Sequence, residues 1–242
     1  MTRLDGSVVL VAGHAGGVGA IARRLRELGA SVVVAASGSG VRAAADASGV
    51  GDFETLDVGS QSKEAWQGAT EVLLSRYSRW DGLVCCAGGV ASGSIESVTD
   101  EQWAEAMRGN VEAVANACQA AVSRFTGRRG SIVIVASVGG LVAGEDMFLA
   151  DTISGAVRPL TKSVALRCID LGFRIRCNSI HSTALPVSGG GGYRSAGAAV
   201  ARGPALPSTM AEVAELAAFL LGPGSEGISA AEFVADGGRT AR

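Results

Sequence analysis

Short β-rich apolar runs alternate along the chain with longer stretches in which apolar residues recur every three or four positions. The runs Ser7–Ala12, Ser31–Ala35, Gly82–Cys86, Ser131–Ala136, Arg174–Ile180 and Glu232–Val234 read as strands. Several are apolar at every position rather than every second one, the pattern of a parallel sheet with helices covering both faces. The helical stretches have readable starts. Thr99-x-x-Gln102 forms a capping box ahead of a stripe of Trp103, Met107, Val111, Val114, Cys118, Val122 and Phe125. Ile153, Val157, Leu160, Val164, Cys168 and Leu171 make a second stripe, and Thr209-x-x-Glu212 opens a third with Val213, Leu216 and Leu220. Strand–helix alternation without a linker or repeat predicts one α/β domain over 1–242, a Rossmann-like doubly wound parallel sheet with helices on both faces.

One stretch, 184–207, breaks the alternation. Ser188–Pro207 is rich in Gly and Ala around Tyr193 and Arg194, and it has neither a helical nor a strand period. It reads as a flexible loop. Two roles are open to it, a plain surface connection or a lid over the carboxyl ends of the strands, where ligands sit in such sheets.

Composition narrows the function classes. At 242 residues and 48% hydrophobic the chain can bury a sizeable core, and a net charge of −2 argues against nucleic acid or an anionic membrane as partner. The longest uncharged stretch, Gly130–Gly144, is interrupted by Ser and Gly and is too short to span a bilayer. Asp5 precedes only a short apolar run that ends at Gly13, so no secretory signal is expected and the protein reads as cytoplasmic. Five cysteines without a CxxC pair argue against a disulfide framework or a metal site. Cys85 and Cys86 read as small core residues. The scarce types matter most: Tyr77 and Tyr193, Lys63 and Lys162, His14 and His181 are the only residues of their kinds, against nineteen Arg. Any mechanism that needs Tyr, Lys or His must draw on those six.

The first strand runs into Ala12-Gly13-His14-Ala15-Gly16-Gly17-Val18-Gly19 and then into helical sequence. Glycines at 13, 17 and 19 permit a tight turn and leave a helix N-terminus open to a pyrophosphate. Further landmarks follow in order: Asp57-Val58, Cys85-Cys86-Ala87-Gly88, Asn110, Ser137, Gly155-Ala156-Val157, Arg176-Cys177-Asn178-Ser179-Ile180-His181 and Asp236-Gly237-Gly238. With these the chain resembles the short-chain dehydrogenase/reductases over nearly its whole length. The resemblance implies NAD or NADP as cofactor, with Gly13, Gly17, Gly19, Asp57, Ala87 and Gly88 on the binding side, and no metal. It also implies dimers that assemble into tetramers through the helices 99–125 and 151–171.

In that family a Tyr-x-x-x-Lys pair on one helix does the chemistry, the Tyr as proton donor or acceptor and the Lys tuning it and holding the nicotinamide ribose. Spacing from Ser137 and from Gly155-Ala156-Val157 puts Ala150 at the tyrosine position and Ser154 at the lysine position. Composition forbids a slipped register: Asp81 stands four residues after Tyr77 and Gly197 four after Tyr193. Loss of the acid alone costs roughly 10²–10⁴-fold in rate. Cofactor features depart too. The second strand ends Ala36-Ser37 without the acid of NAD-preferring members, and neither 15 nor 37 is basic, Arg42 being the nearest candidate. Ala12 replaces the usual Thr, and Ser182-Thr183 the usual Pro-Gly. The cofactor is therefore NAD, NADP or none.

Ser137 and Asn110 are the remnants of the catalytic set, and each has a plainer reading: Ser137 as the cap of a turn, Asn110 as partner to backbone groups at a helix irregularity. His181 with Ser137 and Asp151 is the one alternative relay the residues offer. Asp151 alone could serve as a replacement acid, Glu145 and Asp146 read as surface acids, and His14 as a loop histidine near phosphate or in solvent. Three functions follow from this. The first is a catalytically degenerate pseudoenzyme, a structural or regulatory subunit of a hetero-oligomeric dehydrogenase whose active paralogue supplies Tyr, Lys and cofactor. The second is an oxidoreductase of altered mechanism acting on a hydroxyl or carbonyl substrate. The third is a small-molecule sensor.

Overall fold

The first strand, β1 (Val8–Gly13), pairs in parallel on both sides, with β2 (Ser31–Ala36) and with β4 (Gly82–Cys86). It is central because every residue from Val8 to Val11 is apolar and buried, leaving no face for water. The computed structural model describes residues 2–13, 15–36, 53–59, 61–185 and 208–241. Across them a seven-stranded parallel sheet runs in the order β3-β2-β1-β4-β5-β6-β7, with β3 at Glu54–Asp57, β5 at Arg129–Ser137, β6 at Arg174–Ser182 and β7 at Glu232–Ala235. The sheet is therefore the doubly wound α/β arrangement expected. Strand β3 is the one that periodicity missed: its four residues read Glu-Thr-Leu-Asp, and only Leu56 among them is buried.

Alternation sorts the core into two layers. Val8, Leu10 and Ala12 point to one face, covered by α2 (Lys63–Tyr77), α4 (Ala113–Arg124) and α5 (Phe148–Asp170). Val9 and Val11 point to the other, covered by α1 (Ala15–Glu27) and α6 (Met210–Leu221).

Both capping boxes form. Thr99 Oγ1 accepts from Gln102 N at 3.3 Å while Gln102 Oε1 accepts from Thr99 N at 3.0 Å. Thr209 and Glu212 do the same at the start of α6. The helix expected over 99–125 is interrupted at Asn110, where one reading of that residue set a helix irregularity. It is α3 (Asp100–Ala106), then a π-helical turn over Met107–Glu112, then α4. The helix expected from about Ile153 begins earlier, at Phe148. Among the described residues, no helix is long and apolar enough to cross a membrane. Of the expected lid 184–207, residues 186–207 lie outside the described residues, as do His14 and Arg42.

Candidate active site

The glycine turn, Asn110, Ser137 and the start of α5 are brought to the carboxyl ends of the central strands by topology, since β1, β4 and β5 run parallel and end side by side. At the turn, Gly13 has φ 120°, and a Cβ placed on it would stand 2.2 Å from the Cys86 carbonyl oxygen. Only glycine fits there. Gly17 is buried, with Cys86 Sγ and Leu185 lying against the side that a Cβ would occupy. Gly19 is buried on α1, and Asp57 is exposed at the end of β3, its Oδ1 accepting from Gly59 N at 2.7 Å.

Beyond β4 the chain is pinned in two places. Ala87 N donates to Val135 O at 2.8 Å, and Gly88, at φ 150°, donates its N–H to Asn110 Oδ1 at 2.7 Å. Asn110 sits within the π-helical turn and is 2% exposed. Its Nδ2 donates to the Ala106 carbonyl at 3.0 Å, a group that the widened turn leaves available. The side chain thus bridges the helix irregularity and the Gly88 backbone, which is its plainer reading realised in geometry.

Ser137, at the end of β5, is buried, and its Oγ accepts from Gly139 N at 3.1 Å, capping the short turn that follows. Ser154, expected at the lysine position, is 1% exposed, and its Oγ accepts the Ser137 N–H at 3.1 Å. Ala150, expected at the tyrosine position, is buried in an apolar cluster with Val138 and Met147, with Val90 packed against it. At the two helix positions expected to match the family's acid and cation, the side chains are thus a methyl group among hydrocarbon side chains and a hydroxyl bonded to the backbone.

The alternative relay is not assembled. His181 is fully buried on β6, its Nδ1 lies 3.2 Å from the Ser137 carbonyl oxygen, and its Nε2 lies 3.1 Å from Ser179 Oγ. A carbonyl only accepts, so Nδ1 carries the proton and Nε2 accepts from the serine hydroxyl. Asp151 Oδ2 instead accepts from Gly144 N at 2.6 Å. His181 therefore acts as a neutral core histidine.

Nor do the scarce residues rescue the site. Tyr77 donates to Glu54 Oε2 at 2.5 Å, far from α5 at the β3 edge of the sheet. Lys162 lies two turns along α5 from Ser154 and pairs with Glu232 Oε1 at 2.7 Å. Tyr193 lies outside the described residues. Cys85 and Cys86 are buried, and burial pushes both thiols up, Cys86 to about 12, which removes them as nucleophiles. Among the described residues no cluster of His, Cys, Asp or Glu is placed to hold a metal.

Sequence reasoning missed one charged group near His181. Arg158 clamps Glu232 Oε2 through Nη2 at 2.7 Å and Nε at 3.2 Å, while Lys162 takes the other oxygen. The only sequence signal is the spacing of Arg158 and Lys162 on one helical face; Glu232 arrives from a strand seventy residues later. Hydrogen bonding by Arg158 is the main cause that brings the Glu232 carboxyl down from 4.5 to about 2. His181 is also depressed from its ordinary 6.5, chiefly by burial. Both groups bind protons more readily in the unfolded chain, so both stabilise the fold at neutral pH and lose that contribution as pH falls. Stability by urea melts should decline below about pH 6.5 from His181, then again from about pH 4.5 toward 2 from Glu232. Glu232→Gln should remove the lower step and cost roughly 1–3 kcal/mol at pH 7. A lower step of unchanged size in that variant would refute the assignment.

Comparison with known proteins bears on the fold and the family. Residues 12–240 match the family model described as enoyl-(acyl carrier protein) reductase. The cyclopentanol dehydrogenase of Comamonas testosteroni is 31% identical over 254 aligned positions, covering 100% of both chains. The NADP-dependent (R)-specific alcohol dehydrogenase of Lentilactobacillus kefiri is 26% identical and covers 99% of each. Among solved structures, a short-chain dehydrogenase from Burkholderia cenocepacia in complex with NADP superposes with TM-score 0.83 at 27% identity, over 98% of this chain and 99% of that one. The glycine turn, the strand order and these full-length matches agree, and the chain belongs to the short-chain dehydrogenase/reductase superfamily of oxidoreductases.

Proposed function

We propose that this chain is a catalytically degenerate member of its superfamily, a subunit that pairs with an active paralogue supplying the Tyr, the Lys and the cofactor. The observation that carries the reading is the state of α5. Ala150 is packed under Val138 and Met147, and the Ser154 hydroxyl is spent on the Ser137 N–H. A carbonyl reduction there has no proton donor at the tyrosine position and no cation to tune one. Ser137 and Asn110 remain for structural reasons, as a turn cap and as a brace on Gly88.

The glycine turn retains the form that a dinucleotide pyrophosphate needs, with Gly13, Gly17 and Gly19 free of side chains and Ala87 and Gly88 facing the same strand ends. The nicotinamide end does not fit as well, because Ser154 is too short to reach a ribose and already has a partner. NAD or NADP, when bound, supplies or accepts the hydride; the proton would have to move elsewhere. Assembly in this reading uses the helices 99–125 and 151–171, where Trp103, Leu166, Ile169 and Leu171 are large apolar side chains left at least 38% exposed.

Purification of the chain alone and together with related dehydrogenases from its host tests the reading. The isolated chain should oxidise cyclopentanol with NAD(P) at roughly 10²–10⁴-fold below an intact relative, and it should co-elute with such a relative from the host. A homo-oligomer turning over at the relative's rate would reject it. The second reading, an oxidoreductase of altered mechanism, is favoured by the full-length likeness to proteins named as dehydrogenases. It requires tight NAD(P) binding by the isolated chain, which calorimetry reads separately from turnover.

A further inference from the structure

The amino ends of the strands, opposite the glycine turn, carry a groove of about 770 Å³ that has no part in the site above. Four guanidinium groups line it, from Arg79, Arg129, Arg174 and Arg176, against two carboxylates, Asp81 and Glu226. Two of the four are compensated. Arg79 clamps Asp81 with two contacts of 2.7 Å, and Arg129 faces Glu226 at 3.9 Å. Among the described residues, neither Arg174 nor Arg176 has a carboxylate within ion-pair distance. They stand two apart on β6, so their side chains leave the same face of the strand.

The surroundings make this pair costly without a counter-charge. The β5–β6 register sets Arg174 directly beside Arg129, and like charges in that position repel. Arg176 is half-buried, and its two terminal nitrogens reach only the Ile228 and Gly222 carbonyls, each at 3.4 Å. Burial lowers its pKa, with Glu226 partly opposing. A fold with nineteen arginines and two lysines has placed planar forks here, the shape that grips a phosphoryl group by two bonds. Beside the charges, Leu221 and Pro223 line the wall next to Gly222, so the groove has an apolar stretch on the face that Arg176 reaches.

We propose that this groove binds a phosphorylated small molecule with an apolar body, its phosphoryl group held by Arg174 and Arg176 and its body against Leu221 and Pro223. The charge selects the class. Two uncompensated guanidinium groups match a dianionic phosphoryl group, whereas a single carboxylate neutralises only one of them. The groove volume lies within the range of ordinary small-molecule sites. Apart from Ile169 at the far end of α5, the groove is built from other elements, and binding in it does not depend on the roles of Ala150 and Ser154.

Calorimetric titration with phenyl phosphate and with inorganic phosphate, at fixed ionic strength, tests it on the full chain. Phenyl phosphate should bind saturably and more tightly than inorganic phosphate, and it should raise the melting temperature. Arg174→Gln should weaken phenyl phosphate binding by roughly 10- to 100-fold, with Arg174→Lys in between. Because Arg174 is exposed and has no carboxylate partner, Arg174→Gln should melt without ligand at the parental temperature or above it. Absence of saturable binding at millimolar concentration overturns the proposal. So does phenyl phosphate binding that survives Arg174→Gln and is displaced by NADP, which would put the phosphate at the glycine turn.

Discussion

Gly13→Ala should leave little or no folded protein. The added Cβ would stand 2.2 Å from the Cys86 carbonyl oxygen, 2.9 Å from its carbon and 2.9 Å from its nitrogen, so backbone rather than a yielding side chain opposes it. The conformation at φ 120° adds a penalty of its own for any L-residue. Relief requires β1 and β4 to separate at Gly13↔Cys86, the last pair of their ladder, in the middle of the sheet. Strain and lost pairing together are expected to cost about 4 kcal/mol or more, a large share of the roughly 5–15 kcal/mol stability of a typical domain. The control is Gly155→Ala on α5, where a Cβ meets nothing within 4 Å. That substitution should be neutral or stabilising by about 0.5–1 kcal/mol. Urea denaturation followed by circular dichroism compares them. A Gly13→Ala protein as stable as its parent would mean that the turn at Gly13 is looser than its geometry requires.

Asn110→Leu carries the second-largest effect and separates two meanings of the same residue. If Asn110 is a brace, its loss strands the half-buried Gly88 N–H and the buried Ala106 carbonyl at the π-helical turn. An unsatisfied buried carbonyl costs about 1–3 kcal/mol and a half-buried N–H less, so the variant should lose roughly 1–4 kcal/mol. Asn110→Asp keeps an acceptor for Gly88 and loses only the donor to Ala106, and it should fall between the two. Thermal and urea melts give the answer without any assay of turnover. A variant with unchanged stability would return Asn110 to the catalytic candidates and weaken the case for a silent subunit.

The chain pattern disclosed the sheet because long buried strands such as β1, β4 and β5 are apolar at every position, and that signal is local. It disclosed the capping boxes for the same reason: Thr99 and Gln102, or Thr209 and Glu212, satisfy each other within one turn. Strand β3 escaped because Glu-Thr-Leu-Asp buries one side chain at the edge of the sheet, too little apolar surface to register as a period. The break at Met107–Glu112 showed only in one reading of Asn110, because the stripe from Trp103 to Phe125 tolerates one extra residue in a turn without losing its apolar face. The alternative relay through His181 was open in sequence because distance along a chain says nothing of ring orientation. The fold turns both ring nitrogens to Ser137 O and Ser179 Oγ.

By itself the sequence determined the fold class, the need for glycine at the first turn, and the impossibility of a Tyr-x-x-x-Lys pair anywhere in the chain. These are properties of composition and short spacing, which no packing can alter. The tertiary structure alone decided what became of the positions left behind: Ala150 sealed among hydrocarbon, Ser154 bonded to Ser137, and Asn110 bracing Gly88. It also decided which charges meet. Glu232 joins Arg158 and Lys162 from a distant strand, and Arg129 and Arg174 become neighbours across forty-five residues. The physical reason is the parallel crossover, which sets side by side residues that no local pattern connects.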